Sequence, residues 1–444
     1  MNETIFALAS GGGRAGVAVV RVSGPQAFEG LERISGAERP AFRHAVLRTL
    51  KKPVSRETID QALVIAFSGP GSYTGDDVVE YHVHGSLAVV NELLMVLSEQ
   101  NGYRMAAPGE FTRRAFENGK MDLTEAEAVA DLINAETQMQ KIQALAQMEG
   151  ALSRLYEGWR EDLSRILAYV EAEIEFPDED LPGGILEAVG PEILGLIAAL
   201  EAHLNDKRRG ERLREGLSVA VVGAPNAGKS SLVNALAQRD VVIVSELAGT
   251  TRDIIEVHLD IGGYPVILSD TAGLRPEQLS GEGQAGIEAE GIRRALAKAR
   301  EADLRVLVYD GSQEAADPHT QALADENSLS VVNKCDLGGG PALPQPSILI
   351  SVKTGEGLEV FLQALETKIA GLIGRNEAPA LTRQRHREAL TACAAALRRS
   401  LEARMPELLA EDLRLAIRDL GRITGRVDVE DLLDIIFKDF CIGK

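Results

Sequence analysis

A glycine-rich segment in the middle of the chain constrains the fold more than any other feature. Residues Gly223–Ser230 read GAPNAGKS, and they lie between the β-branched run Leu217–Val222 and the helical pattern Ser231–Ala237. A loop in this position lets backbone N–H groups and a helix N-terminus surround phosphate oxygens, while Lys229 reaches the β- and γ-phosphates and Ser230 binds Mg²⁺. The segment therefore predicts a nucleotide site on a strand–loop–helix unit of an α/β fold.

A second motif indicates which base the nucleotide carries. Residues 333–336 read NKCD and follow an apolar, strand-like run. The carboxylate of Asp336 can accept hydrogen bonds from N1–H and from the exocyclic amine of guanine, a donor pair that adenine lacks, while Asn333 and Lys334 support the base from its edge and face. Residues 351–353 read SVK, follow another strand-like run and suit a loop that closes over the base. These segments predict guanine.

Two further segments lie between these motifs, in the order expected of a GTPase. Residues 270–273 read DTAG and follow a strand-like run, so Asp270 can hold Mg²⁺ through water and Gly273 can donate its N–H to the γ-phosphate. Residues 250–253 (TTRD) precede them, and a threonine of this loop would complete the Mg²⁺ shell. Five elements in this order predict a GTPase.

The residue after Gly273 departs from the Ras-like pattern. Leu274 stands where Ras-like enzymes place a glutamine to orient the attacking water, and an aliphatic side chain cannot polarise water. One alternative is a slow GTPase that awaits an activating protein. The other rests on Asn226 and on residues 247–253 (LAGTTRD), which are similar to loops of bacterial GTPases that use a monovalent cation in place of an arginine finger.

Length and charge bound the remaining possibilities. The chain has 444 residues, of which 45% are hydrophobic, so several domains with sizeable cores are expected. Its net charge of −20 argues against stand-alone binding of nucleic acid, so RNA work would need a basic partner or a local basic patch. Three scattered cysteines show no metal-ligand spacing, and neither a signal peptide nor a membrane-spanning run is evident. We therefore expect a cytoplasmic protein without membrane attachment.

The pattern along the chain predicts a multidomain α/β plus α protein. Residues 1–118 alternate strand-like runs with glycine-rich turns, which predicts a small α+β domain. Residues 119–211 and 373–444 carry helical patterns and are expected to form one discontinuous helical domain, with a GTPase domain of mostly parallel sheet inserted at 212–372. The strand-like runs beyond the phosphate-loop strand are Ile5–Ala9, Val17–Val22, Ala62–Phe67, Val78–Val83, Val266–Leu268, Leu329–Val332 and Ile348–Ile350.

Three other signals have ordinary structural explanations. Residues 11–16 (GGGRAG) match a dinucleotide fingerprint, but a strand-like run follows where that motif requires a helix, so we expect a hairpin connection. His82 and His84 would share one face of a strand, and without a third ligand in view we interpret them as structural or surface residues. The basic run Arg383–Arg387 is typical of a solvated helix face.

The motifs taken together point to one family. The order of the phosphate loop, residues 249–253 (GTTRD), 270–274 (DTAGL) and 333–336 (NKCD), with helical flanks and the closing pentapeptide 440–444 (FCIGK), resembles the MnmE (TrmE) family of bacterial tRNA modification GTPases over the whole chain. The GTPase motifs alone would also fit Era or the ribosome-assembly GTPases. The resemblance implies a Ras-like P-loop GTPase domain, an N-terminal domain similar to tetrahydrofolate-binding domains, and a constitutive homodimer.

The resemblance also implies a reaction and partners. Members of the family work with the flavoprotein MnmG to install an aminomethyl or carboxymethylaminomethyl group at C5 of the wobble uridine, position 34, of certain tRNAs. One alternative is an Era-like translational or ribosome-assembly switch, which usually carries a basic RNA-binding module. The other is a folate-dependent one-carbon transferase for which GTP is purely regulatory, and it would need a folate site with its own general base.

A folate site follows from the resemblance by matching motifs. A tetrahydrofolate derivative, 5-formyl- or methylene-tetrahydrofolate, would contact Arg21, Glu80, Lys120 and Lys444. A pterin offers donors that a carboxylate can accept, and the three cations could meet its carbonyl and glutamate groups. Cys441 would lie near that site and be needed for modification; the alternative is a buried hydrophobic role.

The resemblance assigns further roles in the GTPase domain. K⁺ would lie against the phosphates and supply the charge that an arginine finger supplies elsewhere. Glu288 aligns with the family's water-orienting glutamate, and Glu290 and Glu282 are alternatives because residues 276–286 are longer and richer in glycine than usual. Mg²⁺ is assigned to Ser230 and Thr251, and K⁺ to Asn226, Ser245, Leu247 and Thr250. The residues expected to contact GTP are Asn226, Ala227, Gly228, Lys229, Ser230, Ser231, Ser245, Leu247, Thr250, Thr251, Asp270, Thr271, Ala272, Gly273, Asn333, Lys334, Asp336, Ser351, Val352 and Lys353.

Overall fold

Two six-stranded sheets organise the chain, one in each of its two units. The computed structural model describes residues 3–175, 185–238, 256–270, 299–338, 340–374, 379–427, 429–438, 440 and 442–443. The first unit contains Met1–Ala130, Met148–Ser164 and Ile417–Lys444, and the second contains Asp131–Gln147 and Arg165–Ala416. Two six-stranded sheets and many helices make the multidomain α/β plus α architecture that the sequence predicts.

The described elements include twelve strands and fourteen helices. The strands are β1 (Thr4–Leu8), β2 (Ala15–Ser23), β3 (Val46–Lys51), β4 (Thr58–Phe67), β5 (Val78–Gly85), β6 (Tyr103–Met105), β7 (Leu217–Gly223), β8 (Glu256–Ile261), β9 (Tyr264–Asp270), β10 (Leu304–Asp310), β11 (Ser328–Asn333) and β12 (Ser347–Leu349). The helices are α1 (Ala27–Ser35), α2 (Leu87–Ser98), α3 (Glu110–Glu117), α4 (Leu123–Ile133), α5 (Gln138–Met148), α6 (Ala151–Glu175), α7 (Ile185–Leu204), α8 (Arg209–Glu215), α9 (Lys229–Ala237), α10 (Pro318–Gln321), α11 (Leu358–Ile373), α12 (Gln384–Glu402), α13 (Pro406–Thr424) and α14 (Glu430–Lys438). Among the helices in these ranges, none has both the length and the apolar character that crossing a membrane requires.

The sheet of the first unit has the order β3-β4-β5-β2-β1-β6 and is antiparallel except for the pair β1–β6. Its first two strands form the hairpin expected around residues 11–16. Phe6, Val20 and Tyr81 are fully buried in the core formed with α1 and α2. The four strands predicted for this section are present, whereas β3 and β6 are additional. Neither shows a clear apolar alternation, because β3 reads VLRTLK and β6 has only three residues.

An apolar cluster connects the N-terminal and C-terminal segments of the first unit. Leu123 of α4 is buried with Phe437 of α14 and with Phe440. Gly109 has a φ of 67°, and a Cβ at this position would lie 2.8 Å from the Phe437 carbonyl oxygen and 3.0 Å from the Phe440 Cβ. A residue larger than glycine would therefore displace the C-terminal segment.

The sheet of the second unit has the order β12-β11-β10-β7-β9-β8 and is parallel except for the β8–β9 hairpin, as the sequence predicts for a mostly parallel sheet. Both of its faces are covered. Val219 and Val221 of β7 belong to one apolar cluster, and Ala220 and Val222 belong to the cluster on the opposite face. Since side chains alternate along a strand, a strand covered on both faces is apolar throughout.

Ion pairs surround α8, the helix that precedes β7. Arg387 pairs with Asp206 at 2.7 Å and with Glu211 at 3.0 Å, and Arg383 pairs with Asp131 at 2.7 Å. Although burial acts to raise it, hydrogen bonds from arginines hold the pKa of Glu211 below its ordinary value. The expectation of a solvated helix face is therefore wrong for these two arginines, because carboxylates from distant parts of the chain pack against them.

Candidate functional site

The phosphate loop joins β7 to α9 in the second unit, as predicted. Asn226 and Gly228 have positive φ angles of 64° and 95°, a region of the backbone map that glycine adopts without strain. Lys229 Nζ donates hydrogen bonds to the carbonyl oxygens of Gly223 (2.9 Å) and Ala224 (3.0 Å), which places the ammonium against the loop. The chain therefore turns sharply and enters α9 at the point where N–H groups and the helix dipole favour a phosphate.

Asn333 joins the phosphate loop to the loop that follows β12. The residue is 3% exposed, and its Nδ2 donates a hydrogen bond to the Ala227 carbonyl oxygen (2.9 Å). Its Oδ1 accepts a hydrogen bond from the Val352 N–H (3.1 Å). A Cβ on Gly228 would collide with the Asn333 amide, so glycine is required where the two loops meet. Asn333 thus holds both loops in position, and its contact with the base edge stays a prediction.

The lysine of the NKCD motif is held by a carboxylate on the neighbouring strand. Lys334 Nζ lies 2.6 Å from Oδ2 of Asp310, the last residue of β10. Although burial acts to raise it, the hydrogen bonds from Lys334 and Ser312 hold the pKa of Asp310 below its ordinary value. Asp310 matches none of the sequence motifs, and its position at the carboxyl end of a parallel strand is the signal that could have identified it. Asp336 is exposed, so its carboxylate is accessible to a base.

The segment 351–353 begins a tight turn before α11. Ser351 is fully buried, and its Oγ accepts a hydrogen bond from the Thr354 N–H (3.2 Å). Lys353 is exposed, as are Ser230 and Ser231 at the start of α9. Ser351 therefore shapes the loop, while the exposed groups are the ones that a nucleotide could reach.

Several predicted contacts lie outside the described residues. They are Ser245, Leu247, Thr250, Thr251, Thr271, Ala272, Gly273, Glu288, Cys441 and Lys444, together with the alternatives Glu282 and Glu290. The backbone of Asp270 is described as the last residue of β9, where it pairs with Val221 of β7. This register puts the end of β9 beside the strand that leads into the phosphate loop.

A separate polar group lies on the first sheet, on the face opposite α1 and α2. Arg21 of β2 and Glu80 of β5 are directly opposite each other in the antiparallel register. Arg21 Nε and Nη2 lie 3.0 and 2.9 Å from one carboxylate oxygen of Glu80, Oε1. The other oxygen, Oε2, lies 3.5 Å from His82 Nε2. One oxygen of Glu80 is thus held by the arginine, and the carboxylate fits a heterocycle that offers N–H donors.

Two aromatic rings cover the guanidinium of Arg21. Its Cζ lies 5.3 Å from the centre of the Tyr73 ring and 5.7 Å from that of Phe111, within the range of cation–π contacts. Tyr73 Oη and Thr112 Oγ1 form a hydrogen bond (2.9 Å), and burial raises the pKa of Tyr73, so its hydroxyl stays protonated at neutral pH. The sequence carried no signal for these rings, because only the tertiary fold brings them to Arg21.

Lys120 reaches the loop that carries Tyr73. Its Nζ donates a hydrogen bond to the carbonyl oxygen of Pro70 (2.8 Å), in the connection between β4 and β5. The structure thus brings Arg21 and Glu80 into direct contact and attaches Lys120 to the same loop that covers the arginine.

Ile442 and Gly443 of the C-terminal pentapeptide lie beside described residues of the first unit. Ile442 forms an isolated β-bridge with Pro108, and Gly443, at φ 103°, packs against the carbonyl group of Leu8 so closely that a Cβ would collide with it. Leu8 ends β1, which pairs with the strand that carries Arg21. Gly443 therefore lies at the end of β1, the strand next to the one that carries Arg21.

Within the described part of the chain, no cluster of three or more His, Cys, Asp and Glu side chains could hold a metal ion. His84 Nδ1 lies 2.8 Å from Asp60 Oδ1, and His82 faces Glu80. Each of these histidines therefore lies next to one carboxylate of a described residue. Burial and neighbouring carboxylates raise the pKa of Cys335, so this thiol stays protonated at neutral pH.

Comparisons with known proteins cover the whole chain. The family model described as "GTP-binding protein TrmE N-terminus" matches residues 4–120, and the "MnmE helical domain" matches residues 123–441. The "tRNA modification GTPase MnmE" of Parvibaculum lavamentivorans is 54% identical over 447 residues, with 100% of both chains covered. The protein of the same name from Rhodospirillum rubrum is 52% identical, with 100% of this chain and 99% of that one covered. The human mitochondrial "5-taurinomethyluridine-[tRNA] synthase subunit GTPB3" is 48% identical, with 100% of this chain and 94% of its own length covered.

Proposed function

The chain belongs to the MnmE family of tRNA modification GTPases, and from that premise we propose that it works with the flavoprotein MnmG on the wobble uridine, position 34, of certain tRNAs. The product would be an aminomethyl or carboxymethylaminomethyl group at C5. One observation carries the proposal: the chain combines a phosphate loop, fastened by Asn333, with a second polar site around Arg21 and Glu80. A GTPase that only switches conformation needs the first site but not the second.

The name of the human relative supports both the base and the need for a partner. That protein is a subunit of a 5-taurinomethyluridine tRNA synthase and shares 48% of its residues with this chain. A modification at position 5 of uridine and a multi-subunit enzyme are therefore reasonable for a chain of this similarity. The partner, the exact group added and a homodimer formed by the N-terminal section are parts of the proposal, as are the domain boundaries 1–118, 119–211, 212–372 and 373–444.

In the nucleotide site, we assign each residue a role by its chemistry. Lys229 binds the β- and γ-phosphates, and Asp336 accepts the two donors of guanine. Ser230 and Thr251 bind Mg²⁺, with Asp270 acting through water, and the ion neutralises charge on the phosphates. The exposed Ser230 at the first turn of α9 supports this assignment, because its hydroxyl lies where the phosphate loop ends.

A potassium ion would supply the positive charge that an arginine finger supplies in other GTPases. Asn226 is the described member of the proposed ligand set, with Ser245, Leu247 and Thr250 as the others. It is exposed and adopts a left-handed backbone conformation (φ 64°) at the tip of the phosphate loop. A side-chain oxygen there would face the phosphates, where charge develops during hydrolysis.

The polar group on the first sheet is the proposed site of a tetrahydrofolate derivative, the 5-formyl or the methylene form. Glu80 would accept hydrogen bonds from the pterin ring, while Arg21 holds that carboxylate in position. Lys120 and Lys444 would bind the carbonyl or glutamate groups. The folate would supply the one-carbon unit, and Cys441 is proposed to act beside it.

Two substitutions with opposite effects test whether hydrolysis and modification chemistry are separate. Glu288→Ala should leave GTP binding intact but slow hydrolysis strongly and abolish modification, since this residue would orient water. Cys441→Ser should leave hydrolysis near normal while modification is lost. If Glu288→Ala hydrolyses GTP normally, Glu290 and Glu282 become the candidates. If Cys441→Ser modifies tRNA normally, the cysteine is structural.

Mass spectrometry of wobble uridines in a deletion strain tests the function itself. Loss of the C5 group, restored by the wild-type gene, supports the proposal. Normal wobble uridines together with ribosome-assembly defects would favour an Era-like switch. A defect in one-carbon metabolism with normal tRNA would favour a folate-dependent transferase regulated by GTP.

A further inference from the structure

One segment of the first unit has a charge opposite to that of the whole chain. Residues 39–56 contain six arginines and lysines and no aspartate or glutamate, whereas the chain as a whole carries a net charge of −20. We call these residues the basic segment. It includes the loop before β3, all of β3 and the turn before β4. Its cations are Arg39, Arg43, Arg48, Lys51, Lys52 and Arg56.

Most of these cations have no carboxylate partner within the described part of the chain. Lys52 is paired, because its Nζ lies 3.1 Å from Glu57 and 2.8 Å from Glu92. Arg43 and Arg48 donate hydrogen bonds to backbone carbonyl oxygens, which leaves their positive charge uncompensated. The cations that form no ion pair with any described residue and no such hydrogen bond are Arg39, Lys51 and Arg56. Like charges concentrated in this way repel each other and attract a polyanion.

An aromatic ring accompanies the cations. Arg39 Cζ lies 4.3 Å from the centre of the Phe42 ring and 5.2 Å from that of Phe28. Phe42 is 37% exposed, although a phenylalanine gains free energy when it is buried. Exposed aromatic rings and arginine planes are the surfaces on which unpaired RNA bases stack.

A single loop connects the basic segment to the candidate folate site. Arg43 Nη2 donates a hydrogen bond to the Gly71 carbonyl oxygen (2.7 Å), and Lys120 Nζ donates one to the adjacent carbonyl of Pro70 (2.8 Å). Tyr73, which covers the guanidinium in the folate site, belongs to the same loop. A ligand bound along the basic segment would therefore lie next to that site.

We propose that the basic segment binds the phosphate backbone of the substrate tRNA next to the candidate folate site. The inference rests on the proposed function, since tRNA is the polyanion that the family's activity brings to the protein. Arginine and lysine neutralise phosphates and release condensed counterions, which supplies affinity without sequence readout.

Protection of the sheet edge does not explain the whole segment. Charged residues on an edge strand discourage pairing with other sheets, and β3 is the edge strand of the first sheet. That role accounts for Arg48 and Lys51, which lie on β3. It does not account for Arg39, Arg43 and Arg56, which lie outside the strand.

The test compares tRNA binding by two full-length triple variants, using fluorescence anisotropy of a labelled tRNA transcript over a series of salt concentrations. The first variant combines Arg39→Gln, Lys51→Gln and Arg56→Gln. Loss of three phosphate contacts should weaken binding at least about ten-fold near about 0.1 M salt and reduce the slope of log affinity against log salt by about 2–3. The control variant combines Lys141→Gln, Lys207→Gln and Arg404→Gln, which removes the same charge from exposed positions of the second unit. It should bind tRNA as the wild type does.

Equal affinity and equal salt dependence for the two variants would overturn the inference, as would a wild-type chain without measurable affinity for tRNA. If the first variant loses affinity for polyglutamylated tetrahydrofolate while its tRNA binding is unchanged, the inference is overturned, and the basic segment binds the glutamate tail of the folate instead. Both variants should hydrolyse GTP at the wild-type rate, and both should keep the wild-type circular dichroism spectrum and thermal unfolding midpoint, which shows that the substituted units are folded. The deletion strain tests the proposed function separately. If the wild-type gene restores the wobble nucleosides but the two triple variants bind tRNA equally well, the proposed function stands and only the tRNA contact of the basic segment is contradicted.

Discussion

The two candidate sites are built from different parts of the polypeptide. In the second unit the backbone forms the site, because the phosphate loop adopts left-handed conformations at Asn226 and Gly228 and enters α9 directly. In the first unit the side chains form the site, because Arg21 and Glu80 face each other on regular antiparallel strands. Each construction matches its ligand. A phosphate is bound by converging N–H groups, whereas a pterin needs an ionised acceptor.

This difference predicts what each site can tolerate. A backbone site fails when its shape changes, even if no charge is altered. A side-chain site fails when its charge changes, even if its shape is kept. Substitutions that separate shape from charge therefore test whether the two regions differ as described.

The largest expected effect comes from adding one methyl group to the phosphate loop. Gly228→Ala forces an alanine to φ 95° and drives its Cβ into the Asn333 amide. Backbone strain and the loss of the buried hydrogen bond to the Ala227 carbonyl together cost about 2–5 kcal/mol, which should weaken GTP binding on the order of 10²-fold or more. Titration with a fluorescent GTP analogue measures this loss.

Gly371→Ala is the matched control. Gly371 lies in α11, and a Cβ added there would meet no atom within 4 Å. This variant should bind GTP as the wild type does. If Gly228→Ala binds GTP equally well, the loop does not depend on backbone shape and the comparison fails for the second unit.

The next effect concerns charge within the backbone site. If Asn226 binds K⁺, hydrolysis should be faster in K⁺ than in Na⁺ at equal ionic strength, and Asn226→Ala should lose this advantage, on the order of 10²-fold in rate. Asn234→Ala, at an exposed position of α9, serves as the control and should keep the response to K⁺. Equal rates of the wild type in the two salts would remove the cation from the proposal.

The two sites also differ in how much of them could be predicted from the sequence, because one is contiguous and the other is assembled from distant residues. The phosphate loop is contiguous, so local spacing was sufficient to predict its strand, its turn and its helix. The bridging role of Asn333 was not predictable, because its partner Ala227 lies 106 residues away and only the packing of β7 and β11 around β10 brings them together.

In the first unit, the resemblance supplied the residues and the fold supplied their contacts. Nothing local predicts that Arg21 faces Glu80, since this depends on the register of β2 against β5. The strand β3 was missed because its arginine and lysine interrupt the apolar pattern. Long-range pairing decides which charges are compensated, as the ion pairs of Arg383 and Arg387 also show.

A third, smaller effect tests the side-chain site. Glu80→Gln keeps the shape of the side chain but removes the charge that pairs with Arg21, so tetrahydrofolate binding should weaken by about 1–3 kcal/mol, roughly ten- to a hundred-fold. GTP hydrolysis should not change. Glu29→Gln, which removes a carboxylate paired with Arg33 on the exposed side of α1, is the matched control and should bind folate normally. Calorimetric titration distinguishes the two variants, and equal folate affinity for both would contradict the role of Glu80.

The smallest effect concerns the one ion pair described at the base-recognition motif. Asp310→Asn removes the partner of Lys334 and should lower the free energy of unfolding by about 1 kcal/mol at neutral pH. The folded-state pKa of Asp310 lies below its ordinary value of 3.8, so the stabilisation is present above that value and is lost as the pH falls through the folded pKa. Urea unfolding of wild type and variant should therefore differ at pH 7 and converge in more acidic solution.

Asp336→Asn, at an exposed carboxylate of the same motif, is the matched comparison. It should leave the free energy of unfolding unchanged and weaken GTP affinity by about 1–3 kcal/mol. A stability difference for Asp310→Asn that persists at low pH would mean that the aspartate acts through packing, and the charge of this pair would then have no part in holding the base-recognition loop.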